Sequence, residues 1–263
     1  MAKSKFSPYE KEVLKLLRDE SDFKRKFSSK KEPAINRLLS NKIPSGLQSK
    51  VDKAFAKAFG LVFKKGTFII EKSYKREVIE KRFQIARSTA IRFADRQALR
   101  NFSKRARVVR NINALISGFV GFVLGILGVG IPDIAIFTSV LLKNIYEIAL
   151  HFGIDYNNEQ EQAFILRLIH AAVAQGEDFT AADKLLDESM ADGDFLCEDD
   201  RESLIANAAK ALSDRLLYMK FLQTIPVVGV VGGIYDAVFM ERIGCYAELK
   251  YRKRLLADLK KKD

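Results

Sequence analysis

Between Arg110 and Asp133 the chain runs through 22 residues without a charge, and glycines recur inside that run at a helical spacing. Gly118, Gly121, Gly125 and Gly128 step by three, four and three residues, which places all four on one stripe of an α-helix. A helix interior rejects glycine, at a cost of about 1 kcal/mol each relative to alanine. Four in one helix therefore call for close approach of another backbone to the stripe. Phe221 to Met240 repeats the pattern, with Gly229, Gly233 and Ala237 on one face and Gly232 beside them. The expectation is two glycine-rich apolar helices packed together.

The rest of the chain reads as helical too. Ser7-Pro8-Tyr9-Glu10 is a capping box with Pro at the first helical position, and Val13, Leu14, Leu16 and Leu17 supply apolar residues behind it. Residues 28–46 read as connections around a short helical piece, Ala34 to Leu39. Val51, Ala54, Phe55, Ala58, Phe59 and Val62 share one side of the next helix, and Gly66 offers a break. Thr67 to Arg110 has no Gly or Pro and predicts one long helix or two abutting ones. Helices are then expected from Ile134 to Phe152, closed by Gly153, and from an Asn158 cap to near Gly176. A short one should follow the Thr180–Asp183 signal, and another should run from Asp199 to Thr224. No useful period-two alternation occurs, so the fold class is all-α. A basic N-terminal extension (1–46) with a short helix precedes a single helical domain (47–263).

Composition narrows the function classes. With 30% charged residues this is not a polytopic membrane protein, and with 48% hydrophobic residues it is not a disordered one. Cys197 and Cys245 have neither metal spacing nor a disulfide framework, which fits a reducing compartment. The N-terminus lacks the continuous apolar core of a signal peptide, so a cytoplasmic location is expected. The formal charge is +12, unevenly spread: residues 1–110 hold 30 basic and 11 acidic side chains. Residues 64–110 alone hold 15 against four. Such a surplus points to a polyanionic partner. An anionic membrane surface is preferred over nucleic acid, for which no recognised binding motif accompanies the charge. A solvated helix face is the plainer alternative.

The glycine segments also carry a resemblance. Gly118, Gly121, Gly125, Gly128, Gly130, Pro132 and Asp133, followed by Leu141, Ile145, Ile148, Ala149, Phe152, Gly153 and Asp155, resemble the core of the EcsC family. Ile225-Pro226-Val227-Val228-Gly229 with Gly232-Gly233 is similar to its C-terminal half. Lys65-Gly66-Thr67 with Ile70-Glu71-Lys72 is similar to its N-terminal part, so the likeness covers roughly residues 47–256. The family is named for a bacterial protein encoded beside the subunits of an ABC transporter. The resemblance thus implies helices, a bacterial cytoplasmic or membrane-linked setting and a possible ABC transporter partner, with no catalytic residues to carry over.

The first glycine segment could reach about 33 Å as a helix, against about 30 Å of bilayer hydrocarbon. Arg105, Arg107 and Arg110 before it, and Lys250, Arg252, Lys253 and Arg254 after the second segment, would satisfy the positive-inside rule. The second segment is short for a span, and placing 134–152 in lipid would bury Lys143 and Glu147. A membrane-surface protein is the preferred reading, beside a two-span protein and a soluble helical core.

Catalytic signals are sparse. Glu147 and His151 lie one turn apart and could share a ligand, but no second pair completes a metal site. Asp187, Asp192, Asp194 and Glu198 do not match a calcium loop and read as a solvated acidic stretch. Asp133 and Asp236 are ionisable groups set against the glycine segments, with helix capping favoured over proton or ligand handling. No cofactor is expected. The sequence therefore reads as a non-enzymatic, membrane-associated accessory protein, with a helical enzyme or lipid-binding protein of unrecognised site as the alternative.

Overall fold

The computed structural model describes residues 6–28, 45–66, 70–93, 97, 99–109, 132–196, 200–223 and 232–260. All regular elements among them are helical: α1 (Pro8–Ser28), α2 (Ser45–Leu61), α3 (Arg76–Phe93), α4 (99–109), α5 (Pro132–His151), α6 (Glu159–Val173), α7 (Gly176–Asp192), α8 (Arg201–Gln223) and α9 (Gly232–Lys260). A single π-helical turn, Val62–Gly66, continues α2 up to the expected break. The features expected at residues 111–131, at 224–231 and around Ala34–Leu39 lie outside the described residues.

The centre is α6. Its sequence AFILRLIHAAV is apolar on almost every side, as a helix enclosed by others needs, and its buried Arg167 donates to Phe195 O at 2.7 Å. Ala163 to Leu166, Leu168, Ile169, Ala171 and Ala172 have no exposure. Helices α7, α8 and α9 pack on it; α2 bridges α8 and α5; α9 also packs on α5; and α3 lies on α5. Asn158 caps α6 as expected, its side chain accepting from the Glu161 N–H at 2.7 Å.

Helix α1 opens on the capping box read from the sequence: Glu10 N–H donates to Ser7 Oγ at 3.1 Å, and Ser7 N–H to Glu10 Oε2 at 2.7 Å. It packs on α7 and α9. Its buried face differs from the expected one, being Glu12, Leu16, Glu20, Phe23 and Phe27, while Leu14 and Leu17 are exposed. Two carboxylates on the inner face reflect the partner, because α9 presents cations there.

Within the basic stretch, α3 is described as far as Phe93. Residues 72–75 form a turn before α3, and residues 99–109 make α4. The Thr180 signal falls inside α7, which starts earlier, after a Gln175 cap without a side-chain hydrogen bond. Gly193 ends α7 in the left-handed region, with its N–H on Ser189 O at 2.9 Å.

Gly153 closes α5 in the same region at φ 74°, with Ile154 N–H returning to Ala149 O and Gly153 N–H to Leu150 O, each at 3.0 Å. A side chain there would run into the Phe83 ring, itself buried and packed on Phe102 at 5.4 Å. Gly153→Ala should therefore combine left-handed strain with overpacking and lose about 2–5 kcal/mol in urea denaturation. Adding Phe83→Leu should restore the steric part; an unperturbed Gly153→Ala protein would contradict this packing.

Candidate functional site

Three polar assemblies and one exposed surface stand out. The most buried assembly joins α1, α7 and α9. Lys250 has no exposure, and its Nζ lies 2.6 Å from Asp187 Oδ1, 2.7 Å from Asp183 Oδ1 and 3.2 Å from Glu20 Oε1. Lys24 Nζ reaches Asp183 Oδ2 at 2.6 Å, and Lys253 Nζ reaches Asp187 Oδ2 at 3.0 Å. Tyr246 donates to Asp183 at 2.7 Å. Burial opposes ionisation of Asp183 and Asp187, but Lys250 and the hydrogen bonds around them hold both below the usual carboxylate range. The oxygens of Glu20, Asp183 and Asp187 lie within 4.8 Å of one another, a spacing a metal could use. Here a lysine ammonium sits among them, and three ammonium groups face three carboxylates.

The second assembly continues along α9, where Arg252 donates to Asp19 at 2.9 Å and contacts Glu12 at 3.2 Å, tying the start of α1. Arg254 and Tyr251 both hold Glu161, at 2.8 Å each. Burial pushes the Glu161 carboxyl up, against the pull of Arg254. The basic run read as a membrane flank is thus largely committed to internal pairs.

The third assembly gathers residues at the end of α5. Tyr74 donates to Tyr156, whose hydroxyl donates to Glu71 Oε1 at 2.7 Å. Arg76 binds Glu71 and Glu80 at 2.7 Å and Asp155 at 2.9 Å. Tyr146 stacks on Tyr156 with centroids 4.0 Å apart. Burial raises both Tyr74 and Tyr156, while Glu71 is lowered because its bonds from Tyr156 and Arg76 outweigh desolvation. Glu71 and Asp155, 84 positions apart in sequence, thereby meet through one guanidinium.

Of the candidate site residues singled out from the sequence, Glu147 and His151 have described side chains. Glu147 is buried and pairs with Lys143 at 3.4 Å. His151, one turn on, is driven down to about 4, chiefly by burial and then by Arg105 and Arg82. Asp133 lies in the first turn of α5, and Asp236 near the start of α9 with Gly232, Gly233 and Ala237; the side chains at these positions are outside the described ones. Gly118, Gly121, Gly125, Gly128 and Gly229 are outside the described residues altogether.

The exposed surface belongs to α3 and α4. Phe83 and Ala90 bury the inner side of α3. Val78, Lys81, Arg82, Ile85, Ser88 and Arg92 recur at helical spacing on its outer side and are all exposed, Ile85 at 69%. On α4, Arg100, Lys104, Arg105, Arg107 and Val108 are exposed, above buried Leu99, Phe102 and Ala106. Apolar side chains thus stand among cations on a face turned away from the core.

The EcsC protein family model matches residues 9–256, nearly the whole chain. The protein belongs to the EcsC family. The match takes in α1 as well as the later helices. No curated protein and no solved structure matches the chain.

The lowered His151 has a measurable consequence. The folded protein resists a proton that the unfolded chain accepts at about pH 6.5, so this contribution is full above pH 6.5 and is lost as pH falls towards 4. The shift from 6.5 to about 4 corresponds to roughly 3 kcal/mol. Urea denaturation between pH 7 and pH 4 should show the wild type losing that much more than His151→Gln. Parallel pH profiles would contradict a desolvated, neutral His151.

Proposed function

We propose that this EcsC-family protein is a non-catalytic accessory factor that docks on the anionic inner face of the bacterial cell membrane, beside an ABC transporter. The observation that carries the docking is the exposed α3 stripe, in which Val78 and Ile85 are interleaved with Lys81, Arg82 and Arg92. Such a helix lies in the interfacial plane, its apolar side chains shallowly immersed and its cations on lipid phosphates. Each basic residue near the surface contributes about 1 kcal/mol, screened within a Debye length. The α4 cations extend the patch, and α4 contains no acidic residue over 99–109. The transporter partner comes from the family resemblance.

The ionisation pattern supports a non-catalytic reading. A general acid or base is tuned towards neutral pH. Here His151 moves down to about 4, the buried tyrosines move up, and Asp183 and Asp187 move down. Glu161 moves the other way, yet Arg254 and Tyr251 occupy its oxygens.

Among the described residues, one helix, Ile134–His151, is long and apolar enough to cross a bilayer, with a mean hydropathy of 1.3. More than half of it, 56%, is buried against the other helices, as in the core helix of a bundle. The surface mode therefore accounts for the structure without removing α5 from α2, α3 and α9.

Flotation with vesicles tests this reading. Binding should require phosphatidylglycerol and fall with salt. Reversing Lys81, Arg82 and Arg92 to Glu should weaken it roughly 100-fold, from the loss of about 3 kcal/mol, with the melting temperature unchanged. Equal binding to neutral vesicles, or undiminished binding by the reversed protein, would refute it.

A further inference from the structure

Three helices bring two guanidinia and an imidazole together where α5 ends. The Phe83 ring of α3 lies over Gly153 and packs on Phe102 of α4, with centroids 5.4 Å apart. That contact sets Arg82, next to Phe83, and Arg105, one turn beyond Phe102, around His151, two residues before Gly153. Both guanidinia act on the imidazole, and together with burial they bring it down to about 4. Solvent reaches all three groups, since Arg82 and Arg105 are exposed and His151 is half-buried.

Among the described residues no carboxylate balances this charge. Neither Arg82 nor Arg105 makes an ion pair or a hydrogen bond there, and the His151 nitrogens make no hydrogen bond. No acidic residue stands three or four positions from either arginine along its helix, so no intrahelical pair is available. Glu147 and Asp155, four positions to either side of His151, are held by Lys143 at 3.4 Å and by Arg76 at 2.9 Å. Glu80 also binds Arg76, and Glu248 binds Arg107 at 3.5 Å. Two guanidinia close enough to depress one imidazole repel each other as well, and an anion among them relieves both effects. Each guanidinium offers a planar fork that matches phosphate oxygens, and the neutral imidazole adds one N–H donor.

We infer that Arg82, Arg105 and His151, at the junction of α3, α4 and the end of α5, form a binding site for a phosphate-type anion. A lipid headgroup and a free phosphate share this chemistry. The site borders the face proposed to meet the membrane and shares Arg82 with it, but its occupation needs no lipid surface. It goes beyond that proposal in requiring His151, which a diffuse basic patch would not use.

The test follows the imidazole resonances of the full-length protein by NMR, with His170 of α6, the other histidine, as internal reference. Inorganic phosphate is titrated against chloride at equal ionic strength. A short-chain phosphatidylglycerol below its micelle concentration is titrated against the matching phosphatidylcholine. His151 should shift saturably with phosphate, with phosphatidylglycerol or with both, while His170 stays still, and the responding probe identifies the source. With the responding probe at saturation the pH at which His151 titrates, about 4 in chloride, should rise by about one pH unit. Arg105→Gln should weaken binding at least 10-fold while the protein stays folded, whereas Lys210→Gln, which removes one exposed charge from α8, should not. A saturable response in these vesicle-free solutions stands even if flotation shows no docking, so the two readings fail separately. The inference is overturned if neither probe gives a saturable His151 shift, or if His170 moves in parallel. It is equally overturned if Arg105→Gln binds with unchanged affinity.

Discussion

The fold depends on one buried ammonium. Lys250 is fully enclosed, and taking such a charge out of water costs several kcal/mol unless opposite charges surround it. Glu20 from α1 and Asp183 and Asp187 from α7 meet that demand, so three helices must arrive together before any of the groups is satisfied. Arg252 and Arg254, two and four residues on, repeat the device towards α1 and α6. The final helix thereby fixes the first one, 230 positions away in sequence, in a specific register. Neighbouring hydrophobic contacts, such as Phe23 on Tyr246 with centroids 5.2 Å apart, would tolerate sliding that these pairs do not.

This internal use of charge changes what the net +12 means. The C-terminal cations are spent largely within the protein. Among the described residues, α3 and α4 carry exposed cations on their outer sides, while their inner sides are anchored by Phe83, Leu99 and Phe102. A rigid platform with a cationic, partly apolar face is suited to a lipid surface, whereas a flexible basic tail would bind without orientation. The Tyr74–Tyr156–Glu71 chain and Arg76 lock the turn leading into α3 against the end of α5, which orients the stripe relative to the core.

Local signals in the sequence carried far. The Ser7 and Asn158 caps, the Gly153 stop and the Phe55–Phe59–Val62 face all depend on contacts within a few residues, and each is where its residues imply. The inner face of α1 was not legible, because Glu12 and Glu20 become interior residues only once α9 supplies Arg252 and Lys250. For the same reason the run Lys250–Arg254 reads as a flank and folds as a seam. Glu147 and His151 share a helix face at the expected spacing, yet one turns to Lys143 and the other is placed beside Arg82 and Arg105.

Hydrogen exchange with and without phosphatidylglycerol vesicles addresses the central claim, that one defined face meets the membrane, most directly. Amides of residues 76–109 should gain protection on the vesicles, while those of α7, whose exposed side carries Glu177, Asp178 and Glu188, should be unchanged. Protection spread evenly over the chain, or confined to α7, would contradict an oriented contact through α3 and α4.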